Sequence, residues 1–370
     1  MKRKITAAVL LEPKSKFNVK TIELEDPRPD EILVKIVATG ICHTDLAVAN
    51  QDMSFPIPSI LGHEGAGIVE KVGANVKKVS VGDHVVLAPG SCGVCEECMA
   101  GHPSYCLNFF TLNLNGHRPD GSCAYHDGHQ EIGGFFFNQS SFATYSLTNE
   151  SSVIKVPKEV DLALLGPLGC GIQTGAGTIL NVAKPQAGDT IAVTGVGPVG
   201  LAAIMAAKVV GCAKIIAIDI HDERLAFAKE LGATHTINSK HTVEVAQYIR
   251  ENLAPNGLHH AVDTTAINAV MNELVKAMKK NGTVYTLGVM KAGGKLELDY
   301  LPFSLGVTIK SVIEGDSIPD LFIPKLIQLY VDGLFPFDKM IKFYELNQIN
   351  QAVEDSEKGI TLKPIIRMPH

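Results

Sequence analysis

The stretch Thr190-Ile191-Ala192-Val193-Thr194-Gly195-Val196-Gly197-Pro198-Val199-Gly200 decides the fold of this 370-residue chain. Its first half is a β-branched apolar run, and its second carries a G-x-G-x-x-G spacing that opens onto helical periodicity. In that order the glycines make a tight turn between strand and helix, and the helix's first amide N–H groups are offered to a pyrophosphate. Asp219 ends the next apolar run, where a carboxylate accepts hydrogen bonds from an adenosine ribose. Gly195, Gly197, Gly200 and Asp219 are therefore expected to bind a dinucleotide. The charge of Asp219 would repel a 2′-phosphate, which favours NAD over NADP.

Working outward, the pattern predicts a helix from Pro198 to about Val210, a strand over Lys214–Ile218 and a helix over Asp222–Leu231. Further units follow at Ala261–Asp263, Ile267–Lys279, Gly282–Leu287 and Val307–Ile313. About six strands alternating with helices imply the α/β class, a Rossmann-type doubly wound parallel sheet. Upstream, short β-branched runs (Ile32–Val37, Gly67–Val72, His84–Leu87) are broken by Gly, Pro and Asp turns, the mark of a compact β-rich domain. The length exceeds what one core usually covers, so two domains are expected. Residues 172–315 form the nucleotide-binding domain, and residues 1–171 with 316–370 form the other, the tail being read as helical.

The net charge of −6 and pI near 6.1 leave no electrostatic footprint for nucleic acid. Lys2, Arg3 and Lys4 precede an apolar run, Ile5–Leu11, but Glu12, Pro13 and Lys14 follow without a small-residue cleavage site. That segment reads as a first strand; no stretch is long enough to span a membrane, and a cytoplasmic location is expected. Eight cysteines in such a chain suit metal ligation better than disulfides.

Four of them, Cys92-x2-Cys95-x2-Cys98-x7-Cys106, have the spacing of a closed tetrahedral zinc site. An iron-sulfur cluster fits poorly, because the bacterial pattern places its fourth cysteine after three residues and follows it with proline, whereas Leu107 follows Cys106. Cys42, His63 and Cys170 would make a second site with one position open to a reactant. Spacing alone favours a plainer reading of these three, a satisfied core histidine and small buried thiols. Cys123 and Cys212 are read as packing thiols, and the long Gly- and Asn-rich excursion from Leu107 to Tyr145 as functional or interfacial.

Taken together, these residues resemble the zinc-dependent medium-chain alcohol dehydrogenase family over essentially the whole chain. Gly62-His63-Glu64-Gly65-Ala66-Gly67, continued by Gly73 and Val76, looks like that family's zinc signature, and it stands in the family's order with the cysteine loop, the Gly195 turn and Asp219. Segments Gly166–Gly177, Ser140–Tyr145 and Lys358–Pro364 look most like the aryl- (benzyl-) alcohol dehydrogenases. The resemblance implies a GroES-like catalytic domain, two zinc ions per chain and NAD. It makes Cys42, His63 and Cys170 the ligands of the catalytic zinc, with Glu64 a carboxylate near the metal and Asp45 orienting His63. Thr44 takes the role of the hydroxyl that receives the alcohol's proton. Thr174 and Val199 match positions that hold nicotinamide, Arg224 a cation near the adenosine, and His43 and Lys363 positions that approach the pyrophosphate.

The implied reaction is reversible oxidation of a primary alcohol, probed by metal and hydride chemistry in a cleft between domains. Two departures matter. Ala47 stands where many members carry a relay histidine, and Ala88 where members acting on small alcohols carry a bulky aromatic. The latter, with phenylalanines between Phe109 and Phe137, suggests a roomy pocket for an aromatic alcohol; core packing explains those rings equally well. Alternatives on the same scaffold are a glutathione-linked formaldehyde dehydrogenase and a polyol dehydrogenase; one of another class is a zinc-stapled, nucleotide-sensing binding protein. A strand near Val307–Ile313 able to pair across a two-fold axis implies a homodimer or homotetramer.

Overall fold

The computed structural model describes residues 2–370 apart from Val243 and Ala292. The chain divides into two compact units, Met1–Cys170 with Ile318–Lys325 and Asp338–His370, and Gly171–Ser317 with Leu326–Phe337.

The second unit is built on six parallel strands in the spatial order 235–238, 214–219, 190–194, 258–263, 278–286 and 308–311. Two central strands, Thr190–Thr194 and Lys214–Asp219, are almost wholly buried, which is why their sequences are continuous apolar runs without alternation. The order reverses beside Thr190–Thr194, the position at which such sheets bind ligands outside the carboxyl ends of their strands. The helix Pro198–Val210 starts there with proline at its first turn and ends on Gly211, whose φ of +88° gives the left-handed cap. Helix Asp222–Leu231 follows the next strand.

In the first unit a five-stranded sheet lies in the order 59–60, 2–10, 18–25, 125–127, 130–132. A second sheet has the order 153–155, 84–87, 64–72, 31–40, 363–367, 341–345, with Tyr145–Asn149 also paired to Glu31–Gly40. Ile5, Val9, Leu24, Ile32, Val34 and Ile36 contribute to one core between these elements. The tail differs from its helical reading. It holds the helix Ile349–Glu357, but also two strands, Ile341–Glu345 and Lys363–Arg367, that pair in parallel and add to Glu31–Gly40. Their apolar content, Ile341, Phe343, Ile365 and Ile366, is too short a run to show a period, so only the sheet partner decides its state.

The Leu107–Tyr145 excursion is not an open loop. It contains the short helix Phe109–Asn113 and the antiparallel strands Tyr125–Asp127 and Gln130–Ile132, the first of which joins Asn18–Glu25. Arg118 anchors it. This side chain is 2% exposed and forks onto Glu31, with Nε donating to Oε1 at 2.6 Å and Nη2 to Oε2 at 3.0 Å. Its Nη1 donates to Glu25 at 2.7 Å and to the Cys123 carbonyl at 3.3 Å. Among the described residues, no single helix is long and apolar enough to cross a membrane.

Candidate active site

Cys42 precedes the short helix His43–Ala49, and Asp45 is the third residue of that helix. The Asp45 carboxylate is fully buried and accepts from Cys42 N at 2.9 Å and from Gly62 N at 3.0 Å. Its Oδ1 also lies 3.0 Å from His63 Nδ1. One carboxylate thus ties together two segments far apart in sequence and sets the tautomer of the imidazole, leaving Nε2 with a lone pair. That Nε2 is buried and has no hydrogen-bond partner among the described residues.

Cys170 follows the one-turn helix Gly166–Gly169 and is buried. The ligand atoms of Cys42, His63 and Cys170 lie within 4.8 Å of one another. Hydrogen bonding from Cys170 overcomes the effect of burial and holds the Cys42 thiol well below its ordinary range. Burial opposes protonation of His63, but the Asp45 carboxylate and the Cys42 sulfur raise its basicity well above normal. One acidified sulfur, a second sulfur beside it and a basic imidazole with an unused nitrogen form a donor set that fits zinc with three protein ligands. Thr44 is half-buried, its hydroxyl 3.9 Å from Cys42 Sγ, while His43 is exposed.

Glu64 follows His63 directly and is fully buried. Both its oxygens lie 2.9 Å from Lys363 Nζ, which also donates to the Ile41 carbonyl at 3.2 Å. Burial pushes the Glu64 carboxyl up to about 7, with Lys363 opposing, and the pair raises Lys363 in turn. The ammonium expected at a pyrophosphate is here buried and paired.

In the cysteine loop, Cys92 and Cys98 sulfurs are 4.0 Å apart, as are those of Cys95 and Cys106. Zinc-sulfur bonds of about 2.3 Å at tetrahedral angles require a sulfur separation of about 3.8 Å, so the four residues fit that metal. The Val94 N–H, the Asn108 amide and the Cys95 N–H draw the Cys92 thiol down to about 6, towards the thiolate a metal needs. Cys123 and Cys212 belong to neither cluster: both are buried, and burial pushes Cys212 up to about 11. Cys123 donates its S–H to the Ile132 carbonyl at 2.8 Å.

In the other unit, Gly195 has a φ of +76°, and a Cβ at Gly200 would stand 2.1 Å from the Gly195 carbonyl oxygen. Only glycine allows that turn, whereas nothing lies within 4 Å of a Cβ at Gly197, so that side of the turn is open to a ligand. Asp219 Oδ2 accepts from Val196 N at 2.9 Å and Oδ1 from Ile220 N at 2.7 Å and His221 N at 3.0 Å, which fixes the carboxylate beside the turn. Thr174, on the helix Gly171–Gly177, lies 3.4 Å from Glu314 through its hydroxyl. That helix packs at Gly175 on Val199, in the first turn of Pro198–Val210. Arg224 is half-buried on Asp222–Leu231. Glycine turn, helix terminus and fixed carboxylate fit a dinucleotide.

The phenylalanines are packed around the imidazole of His63. Phe137 stacks on it with ring centres 4.6 Å apart and planes 27° from parallel, and Phe136 meets it edge-on at 5.3 Å. Phe110, by contrast, is 75% exposed, and Ala88 is buried. Sequence reasoning missed Arg118 and Gln139. Arg118 carried no signal beyond being a charged residue in a Gly-rich stretch, and Gln139 is placed by backbone angles that its sequence does not announce.

Residues 198–331 match a family model described as zinc-binding dehydrogenase, and residues 28–158 one described as alcohol dehydrogenase GroES-like domain. A geraniol dehydrogenase from Castellaniella defragrans is 38% identical over 97% of this chain and 96% of its own length. An S-(hydroxymethyl)glutathione dehydrogenase from Saccharomyces cerevisiae is 34% identical over 98% of this chain and 96% of its own. The crystal structure of a benzyl alcohol dehydrogenase from Acinetobacter calcoaceticus superposes with a TM-score of 0.96 at 45% identity, covering 99% of this chain and 100% of that one.

Proposed function

The chain belongs to the zinc-dependent medium-chain alcohol dehydrogenase family, and from that premise we propose that it oxidises a bulky primary alcohol reversibly with NAD, an aryl (benzyl-type) alcohol foremost. The observation that carries the reading is the convergence of part-buried Cys42 with buried His63 and Cys170, with His63 Nε2 otherwise unpartnered among the described residues. Zinc held by these three supplies Lewis acidity that makes an alcohol hydroxyl more acidic, and NAD supplies the hydride acceptor. Asp45 keeps His63 in the tautomer that presents Nε2. The Thr44 hydroxyl would take the alcohol's proton while giving up its own towards the cofactor ribose, and with Ala47 in place of a histidine that path would end on water. Glu64 stands beside the ligands with its charge countered by Lys363. The Gly195 turn takes the pyrophosphate, assisted by His43, while Asp219 and Arg224 serve the adenosine end and Thr174 and Val199 the nicotinamide. Cys92, Cys95, Cys98 and Cys106 hold a second, structural zinc.

The aryl preference is supported by the benzyl alcohol dehydrogenase likeness and by Ala88, at a position where the resemblance places a bulky aromatic in members acting on small alcohols. A panel of benzyl alcohol, geraniol, ethanol and S-(hydroxymethyl)glutathione, each with NAD and with NADP, tests it. Benzyl alcohol should exceed ethanol in kcat/KM by at least about 100-fold, the scale of several added apolar groups in a pocket. NAD should exceed NADP by at least about tenfold, from the repulsion of a 2′-phosphate by Asp219. A flat profile from ethanol to benzyl alcohol sinks the aryl reading, and a preference for S-(hydroxymethyl)glutathione selects the glutathione-linked one. No turnover on any alcohol would leave only the binding-protein alternative.

We further propose a homo-oligomer. Thr308–Ser311 is the edge strand of the parallel sheet, and Tyr300 (79% exposed) and Leu301 (69%) lie just before it in the chain. An open edge with apolar neighbours is a template for pairing with a second copy. Light scattering on the eluting protein should give at least twice the 39.6 kDa chain mass, and a monomer at micromolar concentration would exclude the assembly.

A further inference from the structure

The segment Phe135–Ser140 has a backbone that its side chains do not favour. Phe135 (φ +57°), Phe137 (+49°), Asn138 (+56°) and Ser140 (+55°) all lie in the left-handed region, four non-glycine residues within six. Such conformations persist only where their surroundings over-determine them, and they gather at functional sites. Here the surroundings are explicit. Phe136 N donates to Ser140 Oγ at 3.0 Å, Ser140 Oγ donates to the Ile60 carbonyl at 2.6 Å, and Asn138 Nδ2 donates to Ser152 Oγ at 2.8 Å.

The turns put two side chains against one ligand. Gln139 is fully buried; its Nε2 donates to the His63 carbonyl at 3.0 Å and its Oε1 accepts from Gly65 N at 3.0 Å. The amide therefore grips the backbone on both sides of Glu64, as a neighbouring strand would. The grip continues along the same segment, with Ser141 N donating to Gly62 O at 2.9 Å and Phe142 N to Leu61 O at 3.0 Å. Phe137 lies on the face of the His63 ring. Asp45 fixes the in-plane direction of that ring through Nδ1, but a hydrogen bond at one nitrogen leaves the ring free to swing about the bond's axis. The stacked phenyl ring removes that freedom, and the Gln139 amide fixes the backbone from which the imidazole hangs.

We propose that Gln139 and Phe137 are positioning residues for His63, Gln139 setting the ligand's backbone and Phe137 its ring plane, and that the left-handed run exists to present them. The inference rests on the reading of Cys42, His63 and Cys170 as a zinc site. Both act through His63, which they touch directly.

The test measures metal release from the purified, zinc-loaded full-length protein. Wild-type protein challenged with a chelator should lose zinc in two phases, and the Cys92-loop zinc is an internal control for folding. In Gln139→Met, which keeps the volume and removes both hydrogen bonds, release of one zinc should quicken by about 10- to 100-fold while the other is unchanged, the scale seen when partners of a metal ligand are removed. Phe137→Leu should do the same to a smaller degree. Cobalt substituted for the faster zinc reports ligand geometry directly, and its visible bands should shift in Gln139→Met and Phe137→Leu. Unchanged release and unchanged cobalt bands overturn the proposal. Equal acceleration at both metals also overturns it, by assigning the residues to general folding. Uptake of only the Cys92-loop zinc by wild-type protein removes the premise itself, and is seen before any substitution is made.

Discussion

Cys170→Ser should yield a folded chain with one tightly held zinc instead of two, and with kcat/KM for benzyl alcohol reduced by at least about 1,000-fold. The magnitude follows from the role proposed for the metal. Lewis-acid stabilisation of the charge that develops on the reacting oxygen is worth several kcal/mol, and each 1.4 kcal/mol is about a tenfold change in rate. A serine oxygen is a poorer partner for zinc than a thiolate. The matched change Cys98→Ser acts on the other cluster and should behave differently. It should remove the other zinc and lower the thermal midpoint, while the fraction that stays folded keeps most of its turnover. Two zincs retained in Cys170→Ser, or activity within about tenfold of wild type, would contradict the assignment of the two sites.

Arg118→Met should destabilise the first unit by about 3–5 kcal/mol, read as a fall in the urea midpoint followed by circular dichroism. Arg118 and Glu31 are both buried, and removing the guanidinium leaves the Glu31 carboxylate in the interior with its fork of donors gone. The Cys123 carbonyl loses a donor as well. Partial burial works against the charge on Glu25, but Arg118 and His126 hold its carboxyl below the usual range, so that charge too is left less well matched. Adding Glu31→Gln to the same chain should restore part of the loss, because removing both members of a buried pair spares the stranded charge. Arg118→Lys should recover less, since a single ammonium does not reproduce a two-pronged contact. An Arg118→Met protein as stable as wild type would show that the excursion from Leu107 to Tyr145 is held by its other contacts.

The parts of the fold that could be read from the sequence are those in which local rules and the final environment agree. Pro198–Val210 begins with proline and ends on a glycine of positive φ, so its bounds are written in residues that only those positions tolerate. Thr190–Thr194 is buried on both faces from Ile191 on and apolar from Ile191 to Val193, a pattern with one reading next to a glycine turn. Lys363–Arg367 is the opposite case, a strand of five residues that begins with a lysine and a proline and becomes a strand only beside Glu31–Gly40. At the site, the four-cysteine loop announces itself because its ligands lie close together in the chain. Cys42, His63 and Cys170 are brought together by tertiary folding, and spacing alone left them ambiguous; the family resemblance singled them out. Gln139 lay beyond both kinds of reasoning, since its role depends on four left-handed residues, three of them neither glycine nor asparagine.

The strand Lys363–Arg367 has a consequence for the order in which the chain can mature. During synthesis the sheet that carries Glu64–Val72 waits for a strand some 300 positions downstream, and Glu64 waits with it for the ammonium of Lys363, a sequence separation of 299. The parallel-sheet unit is complete in sequence by Phe337, so it can close while the earlier-made unit still lacks its edge. The portion of the chain that emerges first is therefore among the last to be finished. In the interval its cysteines are thiols on an incomplete scaffold, the period in which metal supply and protection from oxidation matter most to a nascent molecule.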